Sequence, residues 1–213
     1  MVIEASASVV TSIPGGTIIP MPPINCAGPA FSCYGPGPRT FGSGITWSST
    51  NPGTDFFTSG SVFGFSGVSF FGANGNWTGA LGPMAGLNDS FDFFGVSDTM
   101  KFAFASPVSA VGGFLNYMPG GSTPTTIAVY DSHGNPIESF NLSFLTGGAN
   151  DTGSFFGFQE TTKNISSFTL TDNYVGITDL TVAGLTVPEP GSLMLLGSGL
   201  LGVIGYGRRR TRR

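Results

Sequence analysis

Few residues of this chain carry types and spacings that could do chemistry. The densest acidic stretch is Asn88-Asp89-Ser90-Phe91-Asp92, with Asp98 close behind. Oxygen ligands at short spacing suit a hard cation such as Ca²⁺, which makes Asp89 and Asp92 the candidate metal ligands. The EF-hand pattern is absent, and a solvated acidic loop is the plainer alternative. Trp47 and Trp77 could stack on sugar rings, or serve as core or edge residues in a domain this aromatic. His133 is the sole histidine and falls in an expected turn, where a Ser-His-Asp relay would need a carboxylate to hold it. A solvated turn histidine is the expectation. Glycoside hydrolysis would need two carboxyl groups ~5–9 Å apart, a separation that no local motif specifies. No acid, base and nucleophile converge, so an enzyme is not expected. Cys26 and Cys33, in Cys-Ala-Gly-Pro-Ala-Phe-Ser-Cys, are the only cysteines. One histidine and two cysteines do not make a zinc site. Outside the cytoplasm a short disulfide loop is expected, with two free thiols as the alternative.

The end of the chain is organised differently. Pro188-Glu189-Pro190 is a rigid, non-helical tripeptide; Pro190 to Gly207 carries no charge; Arg208, Arg209, Arg210, Arg212 and Arg213 follow. Such an apolar run is near the lower limit for a single transmembrane helix, which takes roughly 17–25 residues. The arginines are expected to hold their own end in the cytoplasm, leaving everything upstream outside the cytoplasmic membrane. Glycines 197, 199, 202, 205 and 207 thin the span, and Ser198 and Gly202 would share one helix face suited to a partner helix. An exported chain needs a basic start and an apolar core, and Met1–Val10 has neither. Ala5-Ser6-Ala7 resembles a signal-peptidase site, so the expectation is a true start further upstream.

What must position these groups reads as all-β. Twenty phenylalanines and 34 glycines with only 9% charged residues describe short strands and tight turns. Ahead of Pro188, Arg39, Lys101 and Lys163 stand against eleven acidic residues, a net charge of −8; Glu189 and the terminal arginines bring the chain to −4. A body this acidic is not expected to bind nucleic acid.

Residues 1–40 read as an extended Pro/Gly/Ser-rich lead-in with one edge strand near Ile18 and Ile19. Residues 41–186 read as an antiparallel β-sandwich, with strands expected over 44–49, 61–65, 68–72, 91–96, 99–105, 108–117, 153–159, 165–171 and 177–187. Met100, Phe102 and Phe104 alternate onto one strand face. Thr125–Tyr130 and Pro136–Leu145 form a hairpin whose turn is Asp131-Ser132-His133-Gly134-Asn135.

Val187-Pro188-Glu189-Pro190, the apolar span and the arginine cluster together resemble the PEP-CTERM sorting signal of Gram-negative bacteria. The resemblance covers 187–213 and implies processing by exosortase, a membrane-embedded cysteine transpeptidase-like enzyme. Glu189 would be its recognition handle, kept accessible because the flanking prolines resist helix formation. A permanent tail anchor is the alternative. Pro-Val-Ser-Ala-Val-Gly-Gly-Phe-Leu-Asn-Tyr (107–117), the hairpin 127–142, Gly153–Gln159 and Val175–Val182 are similar to the lectin-like (jelly-roll) sandwich often joined to such tails. Where that motif usually pairs two acids, Thr178 here precedes Asp179. These resemblances imply a non-enzymatic protein, first anchored with its body outside the cytoplasmic membrane and then delivered to the cell surface or an extracellular polysaccharide or biofilm matrix. The alternative function is a carbohydrate-binding module, calcium-assisted or without a cofactor, using Trp47, Trp77 and acidic loops.

Overall fold

The computed structural model describes residues 7–23, 34–42, 44–55, 59–89, 97–121 and 123–185. In chain order the strands are β1 (Ser8–Val10), β2 (Thr17–Ile18), β3 (Arg39–Phe41), β4 (Ile45–Ser49), β5 (Thr54–Asp55), β6 (Ser59–Phe65), β7 (Val68–Phe70), β8 (Asn76–Thr78), β9 (Met84–Asp89), β10 (Asp98–Val108), β11 (Ala110–Tyr117), β12 (Thr126–Tyr130), β13 (Pro136–Asn141), β14 (Ser154–Gln159), β15 (Ile165–Asp172) and β16 (Tyr174–Ala183). Helix among the described residues is limited to single 3₁₀ turns at Gly72–Asn74 and Gly79–Leu81. The fold is all-β, and its strand pairs are antiparallel.

Alternation dictates the smaller sheet, ordered β13-β12-β15-β10-β4-β3. In β10, Met100, Phe102 and Phe104 are buried while Lys101 faces solvent; Ile45 and Trp47 of β4 and Ile127 and Val129 of β12 point the same way. Phe102 lies opposite both Phe168 and Trp47, so one register lines up the large side chains of three strands. Between Ala103 and Val108 the pairing slips. Pro107 sits there without an N–H to give the ladder, a natural place for an irregularity.

The larger sheet runs β1-β14-β11-β16-β9-β6-β5, with β2 also on β16. Close approach of β11 and β14 depends on glycine. A Cβ on Gly157 would lie 2.4 Å from the Val111 carbonyl oxygen. On the other side of β11, two residues of β16, Asp179 and Leu180, oppose the single Gly113 between Gly112 and Phe114, a β-bulge. Asp179 occupies it with φ +47°, a left-handed conformation that aspartate tolerates better than most side chains.

Both sheets contribute to one buried cluster. Rings meet across the gap: Phe41 and Trp47 contact Phe63 at 4.9 and 5.3 Å, and Phe158 meets Phe168 at 6.3 Å. Among the described residues, Phe41, Phe63, Phe102, Phe104, Phe158 and Phe168 are buried in this cluster. A second cluster, with Val62, Phe65, Phe71, Trp77 and Met84, lies beneath the β7–β8 ribbon.

Several elements depart from the sequence expectation. The lead-in is not separate: Ser8–Val10 pairs with β14, Thr17–Ile18 pairs with β16, and Ile13, Ile19 and Met21 are buried. The change of composition near residue 41 therefore does not coincide with the edge of the folded unit. β9, Met-Ala-Gly-Leu-Asn-Asp, has no clear alternation and becomes a strand by pairing with β6 and β16 on its two sides. The strand expected over 91–96 lies outside the described residues, as does the C-terminal helix. Among the described residues no helix is long and apolar enough to cross a membrane.

Candidate sorting site

The last strand delivers the chain to its tail at a well-bonded corner. Ser109, between β10 and β11, donates from its backbone N–H to the Ala183 carbonyl at 3.0 Å, and from Oγ to the same oxygen at 3.2 Å. The Ser109 carbonyl accepts the Glu160 N–H at 2.8 Å. Gly184 follows with φ +81°, and a Cβ there would lie 2.8 Å from Ser109 Oγ and 3.2 Å from Lys163 Cε. Glycine alone makes this tight exit without strain. Leu185, half-buried, packs against the main core. Glu189 follows four positions later in the sequence, a reach of at most about 14 Å when extended. Val187, Pro188, Glu189, Pro190 and the terminal arginines 208, 209, 210, 212 and 213 lie outside the described residues.

The structure separates the other expected site residues rather than gathering them. Trp47 is 0% and Trp77 1% exposed, one between the sheets and the other under the ribbon. A ring enclosed on both faces offers none to a sugar, so the expectation of a stacking platform is corrected. Neither indole N–H has an acceptor among the described residues. His133 is solvated, its side chain 83% exposed and Nδ1 3.8 Å from Asp131 Oδ2. Asp131 serves the turn instead: its Oδ1 accepts the His133 and Asn135 N–H groups at 2.8 Å, and its Oδ2 accepts Asn135 Nδ2 at 2.9 Å. These bonds, led by the Asn135 side chain, hold its carboxyl below the usual range. Asp98 accepts a hydrogen bond from Thr50 Oγ1 at 2.9 Å. Asp89 ends β9, opposite Ser59; Asp92, Cys26 and Cys33 lie outside the described residues. Among the described residues no three His, Cys, Asp or Glu side chains converge on a metal position.

Two buried acids escaped the sequence reading. Asp172, at the β15–β16 turn, accepts hydrogen bonds from Thr125 Oγ1 and, at 2.6 Å, from the Asn173 N–H. Burial nonetheless pushes its carboxyl up, and burial together with the Asp172 charge raises Tyr117. Glu160, at the opposite end of β16, is 6% exposed, and burial raises its carboxyl too. Nothing in Gly157-Phe158-Gln159-Glu160-Thr161 announces this, because the cover comes from segments remote in sequence. Asp172-Asn173 does carry a turn signature that could have placed it at the end of a hairpin.

Residues 186–213 match the family model described as the PEP-CTERM protein-sorting motif. The chain therefore carries that motif at its carboxyl end, and the motif supports export and sorting through exosortase. No curated protein and no solved structure matches the chain.

Proposed function

We propose that this is a non-enzymatic exported protein whose lectin-like β-sandwich is held outside the cytoplasmic membrane by a transmembrane helix within the tail. Exosortase then processes the segment around Glu189 and passes the body to the cell surface or an extracellular polysaccharide matrix. One observation carries the reading: the sorting motif begins at residue 186, directly after the last strand and the last core contact among the described residues, at Ala183 and Leu185. Processing at Pro188-Glu189-Pro190 would remove no strand and no described core residue from the body. The solvated His133 also favours a non-catalytic role. The carbohydrate-binding alternative keeps its acidic loops but not the two indoles, which are buried.

The test is the mature carboxyl terminus, read by mass spectrometry on protein from the native cell surface. The expected terminus lies beside Glu189, and Glu189→Ala is expected to leave a folded body that keeps its arginine tail. Normal maturation of that variant would refute the recognition role of Glu189. An intact tail on the surface-delivered wild type would refute processing and leave a permanent anchor.

A further inference from the structure

Glu160 is a buried acid without a counterion among the described residues. Its backbone N–H is held by the Ser109 carbonyl, yet neither carboxylate oxygen has a hydrogen-bond partner there, and both are sealed from water. It borders an open cavity with Ser8, Val10, Gln159 and Thr161, but a hydrated ion in that space does not touch the sealed oxygens. Lys163, exposed on the same loop, makes no ion pair with it. The neighbouring segments 7–10, 107–110 and 182–185 bear no titratable side chain. An uncompensated buried carboxylate is costly, and native folds complete such groups with a partner.

The strand register points to one. β1 pairs with β14 as Ser8 to Gln159 and Val9 to Phe158, so the next step along the ladder sets Ala7 opposite Glu160. Glu160 gives its N–H to Ser109 on the far side, which makes this a non-hydrogen-bonded position, with facing Cα atoms about 4.5 Å apart. The side chains agree: Phe158 and Glu160 are buried around an exposed Gln159, and Ala7 is buried beside an exposed Ser8. Glu160 and Ala7 thus share the inner face, with the Ala7–Ser8 peptide bond within reach of one glutamate side chain.

Ala7 also ends Ala5-Ser6-Ala7, a small-residue pattern of the kind a signal peptidase cuts. Hydrolysis there adds one water across the Ala7–Ser8 bond. Ala7 leaves as a carboxylate, and the new Ser8 amine takes up a proton at neutral pH. We propose that the α-ammonium group of Ser8, released by cleavage of the Ala7–Ser8 bond during export, is the missing partner of Glu160. Departure of Ala7 vacates the inner-face position opposite the carboxylate, and the new cation stands at the edge of that space. The pair ties β1 to β14 in the matured chain alone. The cleavage rests on the export reading; the ion pair does not.

The chain from Ser8 to Arg213, freed from a cleavable upstream fusion in mild detergent, is compared in thermal unfolding with its Nα-acetylated form. At about pH 6.5 the free amine is expected to raise Tm by about 3–6 °C over the acetylated chain. Pairing raises the amine's pKa above its unfolded value of about 7.7–8.0, so the gain is full below that value and is lost as pH rises through the folded one. Glu160→Gln is expected to cancel the difference, and Glu138→Gln, on the edge strand β13, to keep it. The ion pair is overturned if acetylation leaves Tm unchanged, if Glu160→Gln retains the difference, or if the difference persists above about pH 10.5. Should Glu160→Gln fail to fold, the pH profile of the wild type decides. On the native cell, amino-terminal sequencing of the surface-delivered protein is expected to begin at Ser8. Any other terminus overturns the cleavage site while leaving export standing, whereas a body retained in the cytoplasm overturns the export reading and the cleavage with it.

Discussion

Replacing Trp47 by alanine tests whether the indole is the between-sheet wedge that its contacts imply. The ring is 0% exposed, lies 5.3 Å from Phe63 of the opposite sheet, and stands in register with Phe102 of β10. Burying an indole removes roughly 200 Å² from water, about 5 kcal/mol at 25 cal/mol per Å². Measured truncations of buried aromatics cost about 3–5 kcal/mol once a cavity forms. The indole N–H, without an acceptor among the described residues, works the other way, since removing an orphaned donor returns about 1–3 kcal/mol. The net expectation is a loss of about 3 kcal/mol, or a Tm lowered by about 6–12 °C. Trp47→Phe keeps a ring and discards the orphan, and should cost less than about 1.5 kcal/mol. The assay is urea unfolding of the full chain in detergent, followed by far-ultraviolet circular dichroism. A Trp47→Ala cost below about 0.5 kcal/mol, the level of a surface substitution, would refute the placement and revive a sugar-facing indole. Equal costs for the two variants would show that the N–H has a partner.

Two further expectations probe the larger sheet and the far end of β16. Gly157→Ala sets a methyl against the Val111 carbonyl, where 2.4 Å is available, so β11 and β14 must part; a loss of about 2 kcal/mol or more is expected in the same unfolding assay. Asp172 holds its proton to higher pH in the folded chain than in the unfolded one. Its contribution is therefore full below the unfolded carboxylate pKa and is lost as pH rises through the raised folded value. Asp172→Asn should flatten the fall in stability across that window in a pH series of thermal melts; an unchanged slope would remove Asp172 from the account.

How much was legible follows the range of each interaction. Met100-Lys101-Phe102-Ala103-Phe104 announces its strand because a pleated backbone sends alternate side chains to opposite faces, and Asp131-Ser132-His133-Gly134-Asn135 announces its turn because Asp131 caps its own neighbours. The sorting motif is equally readable, since its chemistry lies in contiguous residues that need no folding partner to display it. β1 and β9 were missed because their strand character comes from pairing with β14, β6 and β16. By itself, then, the order of residues determined the all-β class, the 131–135 turn and the address at 186–213. Tertiary structure alone decided that Trp47 and Trp77 face inward and that Glu160 lies buried beside a cavity. Burial is conferred by segments that meet only after folding, and no local run of residues encodes which side chain they will cover.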